Sequence, residues 1–117
     1  MKIVFYCNAL ECLFTIGTSE VTHKIAERAA CLLSMTEGGR REIFDLIKSA
    51  YRYRSILVHG QHLKKTEDEL ELPAISKSMD ELLRQLLVGN HEIFNAKDDE
   101  MEEFFTSLLF RPLVVPN

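Results

Sequence analysis

The segment REIFDLIKSAYRYRSILVHG, residues 41–60, decides the fold. Turning each residue by about 100° places Ile43, Phe44, Leu46, Ile47, Ala50, Tyr51, Tyr53, Leu57 and Val58 on one broad arc. Asp45, Lys48, Ser49, Arg52 and Ser55 fill the other. This division predicts an amphipathic helix from about residue 39 to 58 with one face in a core. Arg54 breaks the pattern, because it falls near the middle of the apolar arc, where a leucine is expected. A guanidinium there cannot lose its proton. It must be paired, reach water, or sit in a cleft or interface where a phosphate or carboxylate meets it. Glu11 and Glu27 are the candidate partners for a structural ion pair, and Arg28, on the apolar stripe of its own helix, is a candidate member of the same network.

His59 follows Arg54 after four intervening residues. In an unbroken helix the two would point about 140° apart. They converge only if the helix ends, and Gly60 is the residue type that ends helices by taking the left-handed conformation. An always-charged arginine beside an imidazole able to exchange a proton near neutral pH would supply a charge clamp and an acid or base for phosphodiester cleavage.

Outward from this segment the chain reads as helical throughout. Proline occurs only at 73, 112 and 116, β-branched alternation is absent, and apolar residues recur at spacings of three and four. A first helix is expected over about 2–15, with Ala9, Leu10, Leu13 and Phe14 apolar and Gly17 ending it. A second begins at the cap signal Thr18-Ser19-Glu20 and aligns Val21, Ile25, Ala29 and Leu32 before ending near 35–39. A charged loop, HLKKTEDELE, leads to Pro73, after which Ile75, Met79, Leu82, Leu83, Leu86 and Leu87 mark a fourth. Asp98 and Asp99 suit the cap of a fifth, whose buried side is Met101, Phe104, Phe105, Leu108 and Leu109 and which Pro112 stops. The expected fold is all-α, an up-and-down bundle of four to five helices in a single domain spanning 1–117.

Bulk properties narrow the function classes. With 117 residues, 46% hydrophobic and 27% charged, the chain suits one soluble globular domain. Cys7, Cys12 and Cys31 are odd in number and lack CxxC spacing, which suits reduced thiols packed in the core of a cytoplasmic protein. The amino-terminal run MKIVFYCNAL is interrupted by Glu11 and offers neither a secretion signal nor a membrane span. A net charge of −4 argues against a general nucleic-acid binder, yet the segment from Arg40 to Lys65 carries a local +5 against −9 over the rest. A polyanion could engage that segment alone, although charge by itself favours a solvated helix face.

The words ALECLF at 9–14, EVTHKIAERAACLL at 20–33 and REIFDLIKSAYRYRSILVHG at 41–60, followed by an acidic linker and a leucine-rich helix, resemble the Apea-like branch of the HEPN superfamily. The signature of that superfamily is an arginine, four to six residues and a histidine at the end of its third helix, and Arg54-Ser-Ile-Leu-Val-His59 fits it with four. The likeness spans about residues 5–95 and leaves the helix at 98–110 as an addition. It implies a bundle that pairs with a second copy, bringing two Arg and His sets to one cleft. Active relatives cut RNA there without a metal or other cofactor, the ribose 2′-hydroxyl attacking its own phosphate. By position, His59 would move the proton and Arg54 would hold the phosphate, with Arg52, Ser55, Gln61 and His62 as flanking binding residues. Ser55 stands where the nucleases often carry Asn, Asp or His, and Gln61 stands where one toxin branch carries a tyrosine. A role in stress or phage defence follows from the same likeness; the antitoxin or other protein partner is not indicated. The alternative is a noncatalytic module that binds RNA or nucleotide or only dimerises, with Arg54 in a structural ion pair.

Two other groupings carry less. His59 and His62 near Glu67 or Asp68 do not set a coordination geometry, so no metal is expected. Tyr51 and Tyr53 could stack on unpaired bases, but their place on the apolar arc favours packing. His23 and His91 read as surface or capping residues.

Overall fold

A computed structural model describes residues 2–14, 20–60, 66–89 and 91–115. Among the described residues, five α-helices form a bundle: α1 (Lys2–Phe14), α2 (Val21–Leu33), α3 (Glu37–Val58), α4 (Thr66–Val88) and α5 (Asp98–Leu109), with a 3₁₀ turn at Glu92–Asn95 before the last. Most of the residues in the stripes that made each helix legible converge on one core, in which Cys7, Leu10, Phe14, Ile25, Ala29, Ile47, Ala50, Tyr53, Met79 and Leu86 are fully enclosed, whereas Val58 and Leu87, at the ends of their helices, are exposed.

The α2–α3 hairpin is the most extensively packed pair. Its short connection is tied by side chains that satisfy orphan amides at the start of α3. The Thr36 hydroxyl accepts from the Gly39 amide at 3.1 Å, and the Ser34 hydroxyl accepts from the Thr36 amide at 3.2 Å. A Cβ at Gly39 would collide with the Ser34 hydroxyl and crowd that of Thr36, so a side chain there would displace the groups that tie this turn. α3 therefore starts at Glu37, two residues earlier than its apolar pattern suggests.

Four further expectations are corrected. The fourth helix begins at Thr66, and Pro73 lies inside it. An interior proline removes the bond to the carbonyl four residues back, but the turn before it is fastened from α3. The Tyr53 hydroxyl lies 3.2 Å from Asp68 Oδ1 and 3.0 Å from Glu71 Oε2, and Arg52 donates to Asp68 at 3.2 Å. Asp98 is the first residue of α5 rather than its cap, and Leu109 is exposed. Among the cysteines, Cys7 and Cys31 are buried, but Cys12 is exposed on α1. The Thr18-Ser19 part of the cap signal for α2 lies outside the described residues, as does Gly17. Tyr51 and Tyr53 both pack in the core. Among the described residues, no helix is long and apolar enough to cross a membrane.

Candidate functional site

The carboxyl end of α3 is fixed as its sequence requires. Val58 is the last helical residue, His59 is the cap, and Gly60 takes φ 69°, the left-handed conformation that a side chain would strain. The His59 amide still reaches the Ser55 carbonyl at 3.1 Å, and its φ of −82° stays near the helical value, while ψ 7° turns the chain away only after the residue. Its Cα–Cβ bond therefore keeps the helical direction, about 140° around the axis from that of Arg54. The helix ends, yet His59 does not turn back toward Arg54. It is exposed, one turn beyond Ser55 and on the same side of α3 as Ser55 and Arg52.

Arg54 leaves α3 on the side that meets α1. Its Nη2 donates to Asn8 Oδ1 at 3.2 Å and stands 3.8 Å from Glu11 Oε2. The guanidinium also lies over the Tyr51 ring, 5.7 Å from its centroid. The contact with Glu11 is long for an ion pair, and both side chains are about one-third exposed, at 32% and 34%. Arg54 Nε is buried without a hydrogen-bond partner among the described residues. The charge is thus held at the lip of the bundle and only partly satisfied.

The other two candidates for that network go elsewhere. Glu27 faces His23 one turn away on α2, at 3.5 Å. Arg28 donates to the carbonyl of Phe14, the last residue of α1, at 3.3 Å and lies over the Phe105 ring at 5.3 Å. That placement satisfies an orphan carbonyl and docks α5 at the same time.

Near Arg54 the side chains of Cys7 and Tyr51 are buried. Burial pushes the Cys7 thiol up to about 12, with the positive charge of Arg54 opposing the rise, so this cysteine is an inert packing residue. Burial likewise raises the Tyr51 hydroxyl, which donates to the Cys7 carbonyl at 3.3 Å.

Arg52 is occupied by Asp68, with its guanidinium 4.3 Å from the Tyr53 ring centroid. Tyr53 is wholly enclosed, and burial, reinforced by Glu71 and Asp68 at its hydroxyl, pushes its pKa to about 12. Gln61 and His62 lie outside the described residues. Sequence reasoning missed the Tyr53–Asp68–Glu71 cluster; the tyrosine on the apolar arc and the acids at a spacing of three were its only signals. Compared with known protein families, curated proteins and solved structures, the chain matches none.

Proposed function

We propose that the chain is a HEPN-type endoribonuclease of the Apea-like kind that acts as a pair of identical chains. The observation that carries this is Arg54: a permanent charge on an apolar arc, with a loose partner and an orphaned Nε. A buried donor without an acceptor costs stability, and a leucine there would complete the core. A phosphate presented to the lip would give the guanidinium the bidentate acceptor that Glu11 does not.

His59, exposed at the helix end, would take the proton of the ribose 2′-hydroxyl or give one to the departing 5′-oxygen. The 2′-oxygen then bonds to phosphorus as the bond to the 5′-oxygen breaks. The products are a 2′,3′-cyclic phosphate and a free 5′-hydroxyl. Because Arg54 and His59 leave α3 about 140° apart, each working set would combine Arg54 of one chain with His59 of the other. Ser55 and Arg52, on the side of His59, would border the bound strand. A cytoplasmic setting, which the odd number of cysteines without CxxC spacing favours, and a role in stress or phage defence, which rests on the resemblance, complete the proposal.

The contacts of Arg54 with Asn8 and Glu11 favour a second reading, in which the arginine braces α1 against α3 and the chain binds RNA or another copy of itself without cutting. Incubation of the purified protein with a mixed RNA pool in chelator, beside His59→Ala, separates the two. Cyclic phosphate ends made only by the parent support cleavage by His59. No cleavage, or equal cleavage by both proteins, returns weight to the noncatalytic reading.

A further inference from the structure

On the flank of the bundle, α1, α4 and Leu57 of α3 line a groove of about 690 Å³, which involves neither Arg54 nor His59. Its size falls in the ~300–1,000 Å³ range of small-molecule sites. Its floor is apolar, formed by Ile3, Leu57 and Leu72. Its rim carries Lys2 from α1 and Lys77 and Arg84 from α4, against the single carboxylate of Asp80.

That carboxylate is already engaged. Arg84 Nε donates to it at 2.8 Å and the Tyr6 hydroxyl at 3.4 Å. The hydrogen bond from Arg84 holds the Asp80 carboxyl below its usual range, and the charge of Lys2 contributes in the same direction. Lys2, Tyr6, Asp80 and Arg84 therefore share one locality. Among the described residues, neither Lys2 nor Lys77 takes part in an ion pair. Arg84 spends only Nε on Asp80, which orients the guanidinium and leaves its terminal nitrogens without a hydrogen-bond partner among the described residues.

We propose that this groove binds a small phosphorylated ligand with a flat apolar body, an aryl or nucleoside phosphate. Three cations suit a doubly charged phosphate, and the fork of Arg84 suits its paired oxygens. The apolar floor takes the flat body. A compact ligand fits better than a long polyanion, because the exposed acids Glu69 and Glu81 on α4 would repel an extended strand.

The test is a titration of the whole chain, followed by calorimetry and by amide NMR shifts, with phenyl phosphate, adenosine monophosphate, inorganic phosphate, adenosine and a six-nucleotide single-stranded RNA. Phenyl phosphate or adenosine monophosphate should bind at least tenfold tighter than inorganic phosphate or adenosine, with shifts centred on Tyr6 and Ser76. Whichever of the two binds more tightly identifies the body as a simple aryl ring or a nucleoside. Lys77→Gln and Arg84→Gln should each weaken that binding about tenfold, while Arg41→Gln, exposed beside Glu37 on α3, should not. Absence of saturable binding, equal binding of inorganic phosphate, tighter binding of the RNA, or shifts centred on Arg52 and Arg54 would each overturn the proposal. None of these outcomes depends on RNA cleavage.

Discussion

Tyr53 and Arg54 are neighbours on α3, yet the bundle treats them in opposite ways. Tyr53 is fully enclosed and its one polar atom meets two carboxylates of α4. Arg54 turns toward α1, stays one-third exposed, and leaves one nitrogen without a partner. A phenol has a single hydroxyl to satisfy, so the rest of the ring can enter the core at little cost. A guanidinium has five donors and a fixed charge, so it is held where water or an incoming anion can reach it. Tyr53 therefore belongs to the machinery of stability, whereas Arg54 is only partly satisfied by Asn8 and Glu11.

The contrast can be broken from the Tyr53 side first. Tyr53→Ala should cost about 3–5 kcal/mol, the range for emptying a large enclosed site, read from urea unfolding midpoints. A loss under 1 kcal/mol would mean that the ring is not an organising part of the core. Tyr53→Phe keeps the ring and removes the donor shared by Asp68 and Glu71, and should cost about 1–2 kcal/mol. If Asp68→Asn in the Tyr53→Phe background costs as much as it does alone, the cluster is not coupled and the turn before Pro73 is held otherwise.

Alkaline pH probes the same region. The folded chain keeps protons on Cys7 and Tyr53 up to about 12, whereas the free groups release them near 9.0 and 10.0. Their folded pKa values are raised, so their contribution to stability is complete below pH 9 and is lost as pH climbs toward 12. Melting temperature should fall over that window, and Tyr53→Phe should flatten the part above pH 10. An unchanged slope would remove Tyr53 from the cause.

The smallest expected stability change is on the other side. Arg54→Met keeps a long side chain on the apolar arc and abolishes the orphaned nitrogen. It should alter stability by no more than about 1 kcal/mol, with a gain as acceptable as a loss. A loss of several kcal/mol would make Arg54 a structural brace and erase the contrast.

Much of the fold was legible because each helix announces its buried stripe at spacings of three and four. What failed did so where distant contacts override local signals. Pro73 reads as a helix start, but Tyr53 and Arg52, far back in sequence, hold Asp68 and Glu71 helical ahead of it. Cys12 reads as core by residue type, although it falls on the outer side of α1. At the site, the oddity of Arg54 and the stop at Gly60 were both visible in the residues. The choice of Glu11 over Glu27 was not, because it depends on how α1 and α2 cross α3. Nor was the direction of His59, which depends on whether the backbone departs before or after the histidine, and it departs after.

The most direct test of the central claim combines cleavage with complementation. RNA in chelator is treated with the parent, with Arg54→Met, with His59→Ala, and with the two variants unfolded and refolded together. Each variant alone should be inactive though folded, and the mixture should regain cyclic phosphate ends, since one mixed site draws Arg54 from one chain and His59 from the other. Cleavage by either variant alone, or a parent that never cuts, would contradict that claim.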